Sequence, residues 1–389
     1  MLGLVALAQW LGMTLWFSAT AVTPRLVAEW TLSPSQASWL TLAVQAGFVA
    51  GTLASALTNL ADLINPRRLV FLGCLVGAAA NAAVLATDTP AVAIGLRLLT
   101  GAALACVYPP GMKIAAGWFL ERRGFALGIL IGALTIGKAF PYLLTAIFGA
   151  DWQTPMLIAS ALAVAGGTLV LAAVEDGPHV SATSPFDPRA VWAVFASRGA
   201  RLATFGYLGH MWELYAMWAW VGVLATASLT ASGVAGAETV GAVAAFLAIG
   251  SGAAGCVSAG WLADRVGRAR VAMWALATSA SCAAAMSLAY GGRPGWLYVL
   301  LAVWGFAVVA DSAQFSALVS EHAPRDHVGT ALTMQVCLGF LLTLVTIEAL
   351  PRVAGVVGWQ HASWLLVPGP VLGWLAMRGL RRPAPSRVS

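Results

Sequence analysis

The sequence predicts an all-α membrane protein of twelve transmembrane helices in two pseudo-symmetric six-helix bundles. Three observations carry this. Only 9% of the 389 residues are charged and 60% are hydrophobic, whereas a soluble domain carries roughly 25% charged residues. So few charges cannot solvate a surface of this size, and lipid is the solvent that fits. The chain also divides into about twelve apolar runs, each near the roughly 20 residues that a helix needs to cross a bilayer. Finally, the Lys and Arg residues between the runs fall mostly on one side, and the longest polar stretch divides the runs into six and six.

The runs cover 2–23, 35–60, 68–87, 91–114, 124–148, 154–174, 202–226, 237–262, 270–290, 296–319, 328–350 and 363–379. Turn and charge signals separate them, among them Ser33-Pro34, Asn65-Pro66-Arg67-Arg68, Asp88-Thr89-Pro90, Glu121-Arg122-Arg123, Asp151, Gly291-Gly292-Arg293-Pro294 and Pro324-Arg325-Asp326. The first run has no basic leader and holds polar Gln9 and Thr14, so it reads as a retained helix and not a cleaved signal peptide. With no Lys or Arg ahead of it, a start further upstream is expected. Glu175 to Arg201, with its Gly177-Pro178, Pro185 and Asp187-Pro188 steps, reads as a linker in which Val191–Phe195 forms a short interfacial helix. The expected organisation is one bundle over 1–174, a cytoplasmic linker over 175–201, a second bundle over 202–379 and a cytoplasmic tail over 380–389.

Orientation follows from the basic residues. One set of connections holds Arg67, Arg68, Arg122, Arg123, Arg189, Arg198, Arg201, Arg265, Arg268, Arg270, Arg325, Arg378, Arg381, Arg382 and Arg387; the other holds Arg25, Arg293 and Arg352. The positive-inside rule puts the first set in the cytoplasm. Both termini are then cytoplasmic, as an even number of spans requires, and the expected location is the inner (cytoplasmic) membrane. The net charge of +6 is scattered between apolar runs, which fits membrane topology and not nucleic acid. Cys74, Cys106, Cys256, Cys282 and Cys337 lie inside apolar runs without metal-ligand spacing and read as small buried hydrophobes. The sequence has no nucleotide-binding Gly-Lys-Ser/Thr loop, dinucleotide fingerprint or Gly-x-Ser-x-Gly elbow. No cofactor or metal is expected, and energy would come from an ion gradient or the solute's own gradient. A membrane-embedded enzyme would gather polar groups at one depth, but the charges here spread over the fourth, fifth, seventh and tenth runs. A sensor would carry a sizeable soluble domain.

The two halves resemble each other. Asn59-Leu-Ala-Asp62-Leu-Ile-Asn-Pro-Arg67-Arg68 follows the second run, and Gly260-Trp-Leu-Ala-Asp264-Arg265-Val-Gly267-Arg268-Ala-Arg270 follows the eighth. Arg123-Gly124-Phe-Ala-Leu127 and Val328-Gly329-Thr-Ala-Leu332 enter the runs that come after. Such doubling suits two bundles that rock about a site between them. These residues resemble the major facilitator superfamily, whose loop signature is Gly-x-x-x-Asp-Arg-x-Gly-Arg. The second copy matches through Gly260, Asp264, Arg265, Gly267 and Arg268. In the first, Thr58 replaces Gly, Leu63 replaces Arg and Asn65-Pro66 replaces Gly-Arg, leaving Asp62, Arg67 and Arg68. Arg97-x-x-x-Gly101 is similar to the family's helix-four motif. The resemblance implies that the signature residues form a cytoplasmic charge lock and that Arg97 is linked to proton movement. The plainer reading of the lock is solvated topology charges. The fifth run has Gly128-x-x-x-Gly132-x-x-x-x-Gly137-Lys138-Ala-Phe-Pro141 and lacks the Gly-Pro pair of family antiporters, which weakens drug–proton exchange.

A charge at the bilayer centre costs about 2.5–3.5 kcal/mol on insertion scales, so it needs a partner or a wet cavity. Lys138 lies about 20 Å from the cytoplasmic end of its run at 1.5 Å per residue. It is a candidate to bind an anionic group or pair with an acid; the alternative is a permanent structural ion pair. Glu213 shares a helical face with His210 and Met217 and is a candidate proton or substrate site, or a carboxyl kept neutral by hydrogen bonds. It lies within about 5 Å of the depth of Lys138, so the two are the candidate pair across the bundles. Asp311 couples protons, joins the lock or caps a helix. Arg97 moves protons or binds carbonyls of a neighbouring helix, and Lys113 snorkels. Trp16, Tyr108, Tyr142, Trp212, Tyr215 and Trp218 either stack on a solute or pack as ordinary membrane aromatics. Gln9, Gln45, Asn81, Gln314 and Gln335 bind a solute or glue helices. The expected substrate set is Lys138, Glu213, His210, Arg97, Trp16, Tyr108, Tyr142, Trp212, Tyr215 and Gln45, with Glu213, Asp311 and Arg97 for protons.

These readings converge on a secondary transporter working by alternating access. A proton-coupled small organic anion is the first expectation, because Lys138 and Arg97 supply buried positive charge. Proton-driven efflux of lipophilic or cationic compounds through Glu213 and Asp311 is the second. The expected partners are the lipid bilayer, a small-molecule substrate and protons, and the expected state is a monomer.

Overall fold

Inside a bilayer the backbone N–H and C=O groups have no water to bond, so each apolar run satisfies its own as a helix. The computed structural model describes residues 1–119, 123–179, 187 and 191–381. Over these the chain forms α1 (Leu2–Trp30), α2 (Pro34–Leu57), α3 (Pro66–Ala86), α4 (Pro90–Ala116), α5 (Arg123–Phe148), α6 (Gln153–Ala173), α7 (Arg198–Ala231), α8 (Ala237–Val266), α9 (Arg268–Ala289), α10 (Pro294–His322), α11 (Val328–Val357) and α12, which starts at Trp359 and ends in Pro368–Arg381. Among the described residues, eleven helices are long and apolar enough to span a membrane. The twelfth is interrupted by a 3₁₀ stretch, Ser363–Leu366, just ahead of Pro368 and Pro370, which lack the N–H groups that would continue the ladder.

Several helices overrun the apolar stretch that predicts them. α1 continues through Pro24 and α11 through Pro351, so Arg25 and Arg352 lie on helix ends and not in loops. α7 starts at Arg198, four residues early, where the Ser197 side chain accepts the N–H of Ala200. The interfacial helix is present as Val191–Ala196. Glu121, Arg122, Pro185, Pro188, Arg189, Arg382 and Arg387 lie outside the described residues. Helix starts follow local rules. Ser33 and Gln36 form a reciprocal capping box on α2, with Pro34 in the first turn. Asp151 accepts the Thr154 hydroxyl and the N–H groups of Thr154 and Gln153 ahead of α6. The Thr154 bonds foremost hold that carboxyl below its usual range.

Glycines set the closest packing. Where α2 meets α4, Gly47 lies on the Leu98 carbonyl and Gly101 on that of Val44. Where α8 meets α10, Gly255 lies on the Phe306 carbonyl and Gly305 on that of Ala248. The same device in both halves is structural support for duplication. Gly128 and Gly132 of α5 lie against the Cys256 and Ala253 carbonyls of α8, joining the first six helices to the last six by the close approach that glycine permits.

Three helices break at membrane depth. α1 gives way over Thr14–Phe17, α4 over Ala105–Val107 and α10 at Asp311. In α4 the cause is Pro109-Pro110, which removes the donors for the carbonyls of Ala105 and Cys106. In α1 the N–H groups of Thr14, Leu15 and Trp16 bond three residues back instead of four, which tightens the turn and frees carbonyls.

Candidate functional site

Freed carbonyls inside a membrane need donors, and Arg97 supplies them. Fully buried on α4, it donates through Nη2 to the carbonyls of Trp16 at 2.8 Å and Leu15 at 3.1 Å. Its Nη1 bonds Asn81 Oδ1 at 2.7 Å and Ser18 Oγ at 3.2 Å, and its Nε reaches the Leu40 carbonyl at 3.4 Å. Asn81 in turn donates to the Met156 carbonyl and to Ser160. Gln9 caps the break in α4 by donating to the Val107 carbonyl at 2.9 Å. Of the two readings of Arg97, the geometry matches carbonyl binding: its guanidinium is saturated inside the first six helices.

Anchored this way, Trp16 stands beside Lys138 of α5. The ammonium donates to Tyr215 Oη of α7 at 2.6 Å. It lies 4.2 Å from the ring centroid of Trp16, 4.9 Å from Tyr215, 5.3 Å from Trp218 and 6.0 Å from Tyr108. Phe48 of α2 and Phe340 of α11 form a second layer. Their rings are 4.7 Å apart, and both lie within 5.6 Å of Trp16. Phe17 packs on Tyr215 and Trp218. Rings from both sets of six helices therefore pack around one cation in a closed, ring-filled chamber. Among the described residues, no carboxylate comes within ion-pair distance of Lys138, and the indole N–H groups of Trp16 and Trp218 are buried without an acceptor.

The expected pairing of Lys138 with Glu213 does not form. Glu213 accepts Ser279 Oγ of α9 and, at 2.7 Å, Trp304 Nε1 of α10. The reason is helical phase: Glu213 and Tyr215 are two residues, about 200°, apart on α7. Tyr215 faces the cation, and Glu213 faces away into the last six helices. His210 leaves the substrate set as well. Its Nδ1 lies 2.8 Å from Asp311 Oδ1, with both side chains buried, and Asp311 sits where α10 breaks. Tyr142 adjoins the chamber but gives its hydroxyl to the Trp218 carbonyl at 2.7 Å. Trp212 donates to the Leu365 carbonyl of α12. Lys138, Trp16, Tyr108, Tyr215 and Gln45 remain in the interior face shared by both sets of helices.

At the helix ends that carry the loop signature, the side chain of Asp62 lies outside the described residues. Arg67 pairs with Asp176 at 3.2 Å and donates to the Val174 carbonyl, tying α3 to the end of α6, while Arg68 is exposed. In the second copy, Gly267 has φ +93° and ends α8 in a conformation that favours glycine. Arg268 bonds Glu321 at 2.7 Å and Gln314 at 3.4 Å across to α10. Arg265 stacks on Trp261, and Asp264 is exposed. On the opposite side of the membrane, Arg25 of α1 pairs with Glu238 of α8.

A family model described as the Major Facilitator Superfamily matches residues 5–347. The chain belongs to that superfamily. As a member it is a multi-pass membrane transporter and not an enzyme. A crystal structure of a mutant of the nucleoside transporter NupG shares the fold, with a TM-score of 0.73 over 98% of this chain and 100% of that one, at 14% identity. No curated protein matches the sequence.

In this transporter, sequence reasoning left Phe48, Phe340 and Phe17 out of the chamber and gave Trp218 no specific place there. Trp218 had a signal, since it lies one turn from Tyr215. Phe48 had one too, one turn beyond Gln45. Phe340 had none, because a phenylalanine in a membrane helix looks the same whether it faces lipid or the interior.

Proposed function

We propose that this transporter is a secondary active carrier that moves a small organic anion across the inner membrane by alternating access. It works as a monomer of two six-helix bundles with both termini in the cytoplasm. The observation that carries this reading is the ammonium of Lys138, which has no carboxylate partner, beside the unmatched indole N–H donors of Trp16 and Trp218. Lysine and indole nitrogens only donate. A ligand completing their bonds must bring acceptors, and charge-assisted bonds from Lys138 favour a carboxylate or similar group. The surrounding rings favour an apolar, flat body. The aromatic faces stabilise the cation in the meantime.

The same geometry disfavours cation efflux. Glu213 is already bonded by Ser279 and Trp304, and Asp311 by His210, while the chamber itself presents positive charge. Proton coupling is assigned to Asp311 with His210. They are buried titratable partners at the break of α10, where a change of charge acts on a hinge.

The test is uptake in proteoliposomes of a carboxylate chosen by thermal-shift screening. Lys138→Ala is expected to abolish saturable uptake while the protein still melts cooperatively. Uptake that survives in Lys138→Ala would remove the anion site as drawn.

A further inference from the structure

Resting on the anion reading of Lys138, we propose that Gln45 forms a second, uncharged subsite. The substrate is then a planar anion bearing a separate hydrogen-bonding group, such as a hydroxyl or carboxamide, and not a simple hydrophobic acid. Two other deep amides show what an amide does when its role is structural: Gln9 donates to the Val107 carbonyl, with its Oε1 unmatched, and Asn81 bonds Arg97, Ser18, Ser160 and the Met156 carbonyl. Gln45 is fully buried, and neither its Oε1 nor its Nε2 has a partner among the described residues. A buried amide with both groups unmet is unfavourable, and a ligand that bonds it relieves the cost.

Its position is fixed from two sides. Thr41, Gln45 and Phe48 share one face of α2 by helical spacing. Thr41 Oγ1 lies 2.8 Å from Thr20 Oγ1 of α1, and the Phe48 ring lies 5.0 Å from that of Trp16. α1 and α2 run antiparallel. Trp16 precedes Thr20 by four residues and Gln45 follows Thr41 by four, so the two sit at one depth. The amide therefore stands next to the indole whose face covers the ammonium of Lys138 at 4.2 Å. The amide both donates and accepts, so its complement must do the same, about one aromatic ring away from the charged group. Gln335 is also buried and unpartnered. It lies one turn before Gly339, which packs on Tyr207, and about 7.5 Å to the cytoplasmic side of Phe340. It serves as a control at a different depth.

The experiment measures binding of benzoate, 4-hydroxybenzoate and 4-carbamoylbenzoate to the full-length protein in detergent, with uptake of the same acids in proteoliposomes. The wild type is expected to prefer the substituted acids by about tenfold, the worth of one well-placed hydrogen bond. Gln45→Met keeps the length of the side chain and is expected to reduce that preference to within about twofold, leaving benzoate unchanged. Gln335→Met is expected to keep the preference. A preference that persists in Gln45→Met overturns the subsite, as does equal weakening of all three acids. If Gln45→Met fails to fold, Gln45→Asn, which withdraws the amide by one methylene, must lower the same preference or the subsite is overturned. Wild-type binding without preference removes the subsite alone, whereas no binding of any acid removes the Lys138 reading with it.

Discussion

Arg97 and Lys138 are both buried cations at membrane depth, and their surroundings are opposite. Arg97 directs its guanidinium at three backbone carbonyls, an amide oxygen and a hydroxyl, from three different helices, α1, α2 and α3. Lys138 has one hydroxyl and several ring faces, and stands between the two sets of helices. The first charge is compensated in place and holds a broken helix together. The second is compensated weakly, by groups that a ligand can displace. Burial of a charge therefore does not by itself distinguish a structural role from a binding role; how completely the charge is bonded does.

Removing each cation separates the two roles. Arg97→Met leaves the Leu15 and Trp16 carbonyls and Asn81 Oδ1 without their donors, and breaking a buried charged network of this kind costs about 3–5 kcal/mol. That is the largest effect expected, read as loss of folded protein on size-exclusion chromatography. Arg97→Lys is not expected to rescue it, because an ammonium cannot reproduce the planar fork. Lys138→Met replaces an under-bonded charge by an apolar chain of similar length, a change that is often neutral or stabilising by about 1–4 kcal/mol. The expected result is a melting temperature at or above wild type, with anion uptake gone. If Lys138→Met unfolds while Arg97→Met stays folded and inactive, the two roles are reversed.

That contrast also defines what the residues disclose on their own. The number of helices and the glycine stripe of α5 follow from hydropathy and spacing, because lipid allows few alternatives to a self-bonded helix. The depth of Lys138 follows from counting residues. Its neighbours do not, because rise per residue fixes axial position while contact depends on rotation about the helix axis. Glu213 matches Lys138 in depth and points elsewhere, whereas Tyr215, two residues on, makes the bond. The breaks in α1, α4 and α10 were unevenly legible. Tyr108-Pro109-Pro110 announces one of them. Thr14–Phe17 contains neither proline nor glycine, and its break is stabilised by Arg97 from 81 and 82 residues away.

Asp311 tests an intermediate case, a buried charge with one specific partner. Asp311→Asn keeps shape and hydrogen bonding to His210 while removing the charge. Exchange of labelled for unlabelled anion across the membrane is expected to persist at about the wild-type rate, whereas accumulation driven by an imposed pH gradient is lost, since coupled transport needs a group that carries the proton. Parallel loss of both activities would assign Asp311 to the fold, alongside Arg97.

The smallest effect belongs to the pair exposed to solvent. Arg25 and Glu238 join α1 to α8 at the end opposite the Arg67 and Arg268 contacts, with side chains 37% and 69% exposed. Exposed pairs contribute about 0.2–1 kcal/mol, too little to hold the fold but enough to tilt a balanced equilibrium. Glu238→Gln is therefore expected to leave melting nearly unchanged. It should raise the labelling rate of a Thr20→Cys reporter by an impermeant thiol reagent, applied from the Arg25 side, by about two- to fivefold. The increase should shrink when wild-type and variant are compared at high salt, because the lost attraction is one that ions already screen. Labelling that is indifferent to both substitution and salt would mean that the chamber is closed from that side by the packing of Phe17, Tyr142 and Trp218 alone.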